Sequence, residues 1–146
     1  MNGYFAAITN RGATPALIAT MSFNEARLRV AAENVANVHT PGYRAKHLDA
    51  RSFQRALRKA LDAKGGDARQ MLRVASGREI RTEADGSLSI RPSTRPVDNA
   101  LFHDGTNLSL EREMAELAET GMTQDLATTL LRGKFEGVHK AIRGTL

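Results

Sequence analysis

The chain has 146 residues, enough for one domain with a modest core, and only 5% of them are aromatic, with no Trp. There is no Cys, which excludes disulfides, thiolate metal ligands and a Cys nucleophile. The formal charge of +5 is unevenly spread: residues 44–95 carry 13 Lys/Arg against 6 Asp/Glu, and the remainder 8 against 10, so a basic middle lies between nearly neutral flanks. A basic patch of this kind can attract nucleic acid or anionic lipid, or simply be solvated.

Residues 1–13 contain two Gly, two Asn and an isolated Tyr4-Phe5 pair, and are expected to be poorly ordered on their own. They lack a basic segment followed by a compact apolar run and a small-residue cleavage site, so no cleavable secretory signal is expected. No apolar run is long enough to span a bilayer. Thr14-Pro15 reads as N-cap and first helical position. From there Leu17, Met21, Asn24, Leu28, Ala31, Val35 and Val38 alternate at spacings of four and three, a heptad seam with one polar interruption, on a helix expected from Pro15 to about Asn37.

The stop that follows is well specified. Pro41 cannot continue a helix, and Pro41-Gly42 suits the two central positions of a type II turn. Asn34 and Asn37 share a face where amides can bond freed carbonyls or the turn, and Tyr43 can fold back onto the helix end. A second helix is expected within 48–64, with Phe53, Leu57 and Leu61 on one face, Asp49 as N-cap, Gly65-Gly66 as stop, and Arg51, Arg55, Arg58 and Lys59 around the other faces. Alternation at Leu72 and Val74 and at Leu88 and Ile90, with Asp85-Gly86 between two short runs, predicts a small β-rich patch with a hairpin. Residues 91–107, with Pro92 and Pro96, read as a long irregular connection.

Ser109 reads as the cap of a last long helix, with Glu111, Glu113, Glu116 and Glu119 near its start and Arg132, Lys134, Lys140 and Arg143 near its end, as the helix dipole favours. Leu110, Met114, Leu117, Gly121, Gln124, Thr128, Leu131, Phe135, Val138 and Ile142 repeat the four-three alternation. The fold expected is therefore mainly α: two long terminal helices forming a coiled-coil-like pair, with a small, partly β middle segment. Its parts are a first helix and turn over 1–43, a basic middle over 44–105 and a last helix over 106–146. Two helices cannot cover both seams on all sides, so either the middle segment folds over them or other chains do.

Little in the sequence points to catalysis. His39, His47, His103 and His139 have no zinc-type spacing, and no phosphate-binding loop, dinucleotide fingerprint or G-x-S-x-G is present. Glu111 and Glu113 are two apart and do not face each other, so helix N-terminal charge explains these acids better than a paired-carboxylate site. No catalytic, cofactor-binding or metal residue is assigned. The alternative to a structural role is a basic nucleic-acid-binding module, although no aromatics interleave with the basic residues for base stacking and no helix-turn-helix is evident.

Ala31-Ala32-Glu33-Asn34-Val35-Ala36-Asn37-Val38-His39-Thr40-Pro41-Gly42-Tyr43 resembles the N-terminal signature of bacterial flagellar rod, hook and related axial proteins. Residues 104–119 and 130–142 are similar to the matching C-terminal signature. Glu33 and Thr106 stand where that family usually has Asn, Thr120 replaces another common Asn, and Gln124 a common Tyr. The short middle is similar to that of a proximal rod protein, through Met71-Leu72-Arg73-Val74 followed by Ile80.

The resemblance implies a non-enzymatic subunit with no cofactor, exported by the flagellar type III apparatus and built into the periplasmic rod of the basal body. It implies an assembly seam of Leu17, Met21, Leu28, Ala31, Val35, Leu110, Met114, Leu117, Leu131, Phe135, Val138 and Ile142. It also implies a signature turn of Asn34, Asn37, Thr40, Pro41, Gly42 and Tyr43. The partners implied are further copies, the rod proteins FlgC, FlgF and FlgG, and FliE at the membrane ring.

Overall fold

A computed structural model describes residues 10–67, 69–94 and 110–144. In chain order they form α1 (Thr14–Ala36), α2 (Ala50–Lys64), β1 (Ile80–Thr82), β2 (Leu88–Ile90) and α3 (Leu110–Arg143). The two long helices lie against each other, and the middle segment packs on another side of α1. The mainly α reading with a small two-stranded antiparallel sheet is what the chain adopts.

α1 begins one residue earlier than the sequence predicts, and Thr14 is not its cap. Ala13 occupies that position without a side-chain hydrogen bond, so Thr14 and Pro15 are the first two helical residues. Proline is harmless there because those N–H groups have no intrahelical acceptor. Thr14 is instead buried, and its hydroxyl has no partner among the described residues.

α1 has two buried faces. Ala19, Phe23, Ala26 and Val30 recur at spacings of four, three and four and pack into the core with Leu48, Phe53, Ala60, Leu72, Val74 and Ile80. At 3.6 residues per turn this stripe lies roughly half a turn from Leu17, Met21, Asn24, Leu28, Ala31 and Val35. The Phe23 and Phe53 rings stack with centroids 4.1 Å apart and planes within 6°. The middle segment thus covers the side of α1 that the single heptad seam leaves out.

α2 is held at its start by Asp49, which accepts from the Ser52 backbone N–H at 3.0 Å and from its hydroxyl at 2.6 Å. These bonds hold the Asp49 carboxyl below its ordinary pKa. α2 ends at Gly65 in the left-handed region at φ +57°, where a side chain would be strained. Lys64, in the last turn, is buried and donates to the backbone and side-chain oxygens of Asn10, both at 2.6 Å. The end of α2 is thereby tied to the chain just before α1.

The hairpin pairs Ile80 with Ile90 and Thr82 with Leu88, closing through the predicted Asp85-Gly86 turn. Leu72 and Val74 are buried in an extended segment outside the sheet, held by the Thr82 hydroxyl donating to the Val74 carbonyl at 2.8 Å. The Asp49 N–H donates to the Glu79 carboxylate at 2.9 Å, and His47 and Ser93 exchange backbone bonds at 2.8 and 3.0 Å. The Ser109 cap and most of the connection read over 91–107 lie outside the described residues.

Candidate functional site

The stretch where α1 ends and the chain turns is organised by two asparagines. Asn37 ends the helix: its backbone N–H bonds the Glu33 and Asn34 carbonyls, and its side-chain amide donates to the Glu33 carbonyl at 2.8 Å. Its side-chain oxygen accepts from the Thr40 hydroxyl at 3.3 Å. The Tyr43 N–H then donates to the Thr40 carbonyl at 3.2 Å, closing a four-residue turn with Pro41 and Gly42 at its centre. Gly42 has φ +74°, the value a type II turn demands of that position.

Asn34 is 1% exposed and uses its whole amide. The nitrogen donates to the Lys46 carbonyl at 2.9 Å and to the Glu113 carboxylate at 3.0 Å. The oxygen accepts from the Tyr43 hydroxyl and from the Lys46 backbone N–H, both at 3.0 Å. One side chain thus joins the end of α1, the chain leaving the turn and the first turns of α3. Outside this clasp, Lys46 forms an ion pair with Glu33, and this bond raises the pKa of the lysine.

Burial pushes the Glu113 carboxyl above its ordinary value; the Asn34 amide opposes that shift, and neighbouring Glu116 adds to it. Burial also raises the Tyr43 hydroxyl, assisted by the charge of Glu33. Burial is thus the main cause of both shifts. Among the described residues no group of three His, Asp or Glu side chains could hold a metal ion.

Further along, α1 and α3 run antiparallel on polar rungs. The Arg27 guanidinium donates to one Glu116 carboxylate oxygen at 2.9 and 3.2 Å, with side chains 11% and 21% exposed. Asn24 donates to the Thr123 hydroxyl at 3.2 Å, and Lys134 reaches the Arg11 carbonyl at 2.8 Å. Of the seam residues, Ala31 is buried, while Leu17, Met21, Leu28, Val35, Leu117, Leu131 and Val138 are half-buried. Leu110, Met114, Phe135 and Ile142 are exposed, and the residues of α3 buried instead are Thr120 and Ala127.

Glu113 and Glu116 are thus more than favourable charge at a helix start, since each bonds α1 directly. Arg27, Glu33, Lys46, Glu113 and Glu116 were not legible as one constellation. The available signal was position: Arg27 and Glu116 each sit one residue before a seam leucine, where charges flank a helical interface.

No protein-family model matches the chain. It is 26% identical over 119 residues to the flagellar basal body rod protein FlgB of Salmonella typhimurium, covering 81% of this chain and 83% of that one. It is 27% identical over 127 residues to FlgB of Bacillus subtilis, covering 85% and 88%. FlgB of Escherichia coli is 27% identical over 119 residues, covering 80% and 83%.

The chain's similarity is thus to flagellar basal body rod proteins named FlgB, over 80–85% of the chain. No described helix is long and apolar enough to cross a membrane.

Proposed function

We propose that the chain is a subunit of the proximal rod, assembling through its terminal helices into a tube that crosses the periplasm and transmits torque. Segments 1–43 and 106–146 act as the axial parts, and 44–105 as the part that meets adjacent subunits or the surrounding ring. The signature turn Asn34, Asn37, Thr40, Pro41, Gly42 and Tyr43 serves as the junction between axial helix and middle segment. The neighbours in this reading are further copies, FlgC, FlgF, FlgG and FliE, reached through the type III export apparatus.

One observation carries this reading. The clasp on Asn34 fixes the helix pair at the point where the middle segment leaves, so load on either helix reaches the other through hydrogen-bonded groups. A torque-bearing subunit needs such a stiff junction. Isolation of basal bodies tests it: the full chain is expected to co-purify with them, and its deletion to abolish rod assembly and motility. Recovery of intact, rotating basal bodies from the deletion strain would overturn the reading.

A further inference from the structure

Part of the middle segment's positive charge is gathered around one hollow. Arg78, Arg81, Arg91 and Ser89 line a space of about 70 Å³ on the hairpin. The register brings them together. Arg81 pairs with Ser89, and the Arg91 N–H donates to the Glu79 carbonyl at 2.7 Å. Residues 79, 81, 89 and 91 therefore share one face of the hairpin, opposite the face of buried Ile80. Arg78 joins them from the bend before β1, where the Gly77 N–H donates to the Ile80 carbonyl at 2.7 Å.

All three arginines are exposed, and none forms an ion pair with a described residue. Among the described lining residues Glu79 is the one acid, and its carboxylate already accepts the Asp49 N–H at 2.9 Å. Glu83, the next acid on this face, lies toward the turn and does not line the hollow. Three cations thus face one bonded carboxylate, and their mutual repulsion favours entry of an anion.

We propose that this hollow binds a tetrahedral oxyanion, the phosphate group of a small solute or of a lipid headgroup. The size fits: 70 Å³ is the room of about two waters at ~30 Å³ each. That takes one phosphate group and excludes a base or a sugar. Among the described residues no aromatic lines the space for a base to stack on. The donors fit as well. Each guanidinium offers a planar fork of N–H groups, and three forks from separate points of the backbone meet the oxygens of a tetrahedral anion from different sides. A planar carboxylate is satisfied by one fork alone. The Ser89 hydroxyl, half-buried opposite Arg81, adds a neutral donor. This site lies wholly in the middle segment and is independent of the rod-subunit reading.

Titration of the isotope-labelled full chain with inorganic phosphate, with sodium chloride holding ionic strength constant, tests the site through amide chemical shifts. Saturable shifts are expected at residues 77–81 and 89–91. Arg81→Gln and Arg91→Gln are each expected to weaken binding roughly fivefold or more. Both change exposed positions, so the amide spectrum elsewhere should stay unchanged and show the fold intact. Arg58→Gln and Lys59→Gln remove the same charge from the exposed face of α2 and are expected to change the affinity less than about twofold. Equal weakening by the α2 pair overturns the site.

Vesicles of phosphatidic acid in phosphatidylcholine distinguish the two sources of the anion. Co-sedimentation with these vesicles that is lost in Arg81→Gln, but kept in Arg58→Gln, assigns the lipid headgroup. Saturable phosphate binding without such vesicle binding assigns the free anion. Phosphate shifts that never saturate, together with vesicle binding indifferent to Arg81→Gln, overturn the proposal.

Discussion

The two buried sides of α1 are built from different chemistry. Toward the middle segment the contact is apolar, centred on the stacked Phe23 and Phe53 rings with Leu48, Val74 and Ile80. Toward α3 it is a ladder of polar rungs, Asn34 with Glu113, Arg27 with Glu116 and Asn24 with Thr123, among half-buried apolar residues. Apolar packing holds parts together without choosing their register closely; hydrogen bonds and ion pairs between named atoms do choose it. The first side holds the buried apolar cluster, and the second sets how the two long helices are aligned.

Truncations separate these roles. Phe23→Ala is expected to cost about 3–5 kcal/mol, enough to unfold much of a marginal domain, with loss of the middle segment's near-ultraviolet signal as well as helix. A cost below about 1 kcal/mol in urea denaturation would place the core elsewhere. Asn34→Leu removes four hydrogen bonds and strands the Tyr43 hydroxyl, the Lys46 backbone groups and the Glu113 carboxylate. Its expected cost is about 2–4 kcal/mol. Its distinguishing mark is faster amide exchange at Lys46 and in the first turns of α3, with the Phe23 region still protected. Uniform loss of protection would show that the clasp is no separate unit.

Much of this architecture was legible in the sequence, and the exceptions have physical causes. The turn was readable because Pro41 and Gly42 permit few conformations, and α2 because Asp49 and Gly65 cap a single apolar face. The core stripe Ala19, Phe23, Ala26, Val30 went unread because a helix buried on two sides blurs the one-sided pattern that marks a seam. Thr14 misled because a β-hydroxyl before proline is the usual cap, whereas here it turns inward. The clasp on Glu113 joins residues 79 apart in the chain, and no local spacing encodes such a pair. On α3, four apolar seam residues lie exposed while Thr120 and Ala127 are buried.

Single caps and charges sharpen the comparison with smaller effects. Asp49→Ala is expected to cost about 1 kcal/mol by removing the α2 cap. Because the folded Asp49 carboxyl titrates below its ordinary value, its contribution is present at neutral pH and is lost as pH falls through that lowered value. Glu113 has the opposite sign. Its folded pKa is raised, so the folded state binds a proton more readily than the unfolded chain, and stability falls as pH rises from the ordinary carboxylate range through the raised value. Glu113→Gln is therefore expected to flatten that part of the stability–pH curve and to be neutral or slightly stabilising at pH 7. A steeper curve in the variant would mean that the carboxylate is held in its charged form.

The smallest effect expected is at Thr120. It is 1% exposed, and its hydroxyl has no hydrogen-bond partner among the described residues; the Gln124 side-chain oxygen, one turn on, is also unpartnered. The polar ladder is therefore unsatisfied at these two positions. A buried hydroxyl without a partner forfeits its bonds to water, and Val has nearly the same shape without that loss. Thr120→Val is therefore expected to stabilise the chain by up to about 1 kcal/mol, read as a rise in urea midpoint at unchanged slope. Destabilisation of that size would show that the hydroxyl is satisfied in solution, by water or by a second chain, and that the ladder continues through Thr120.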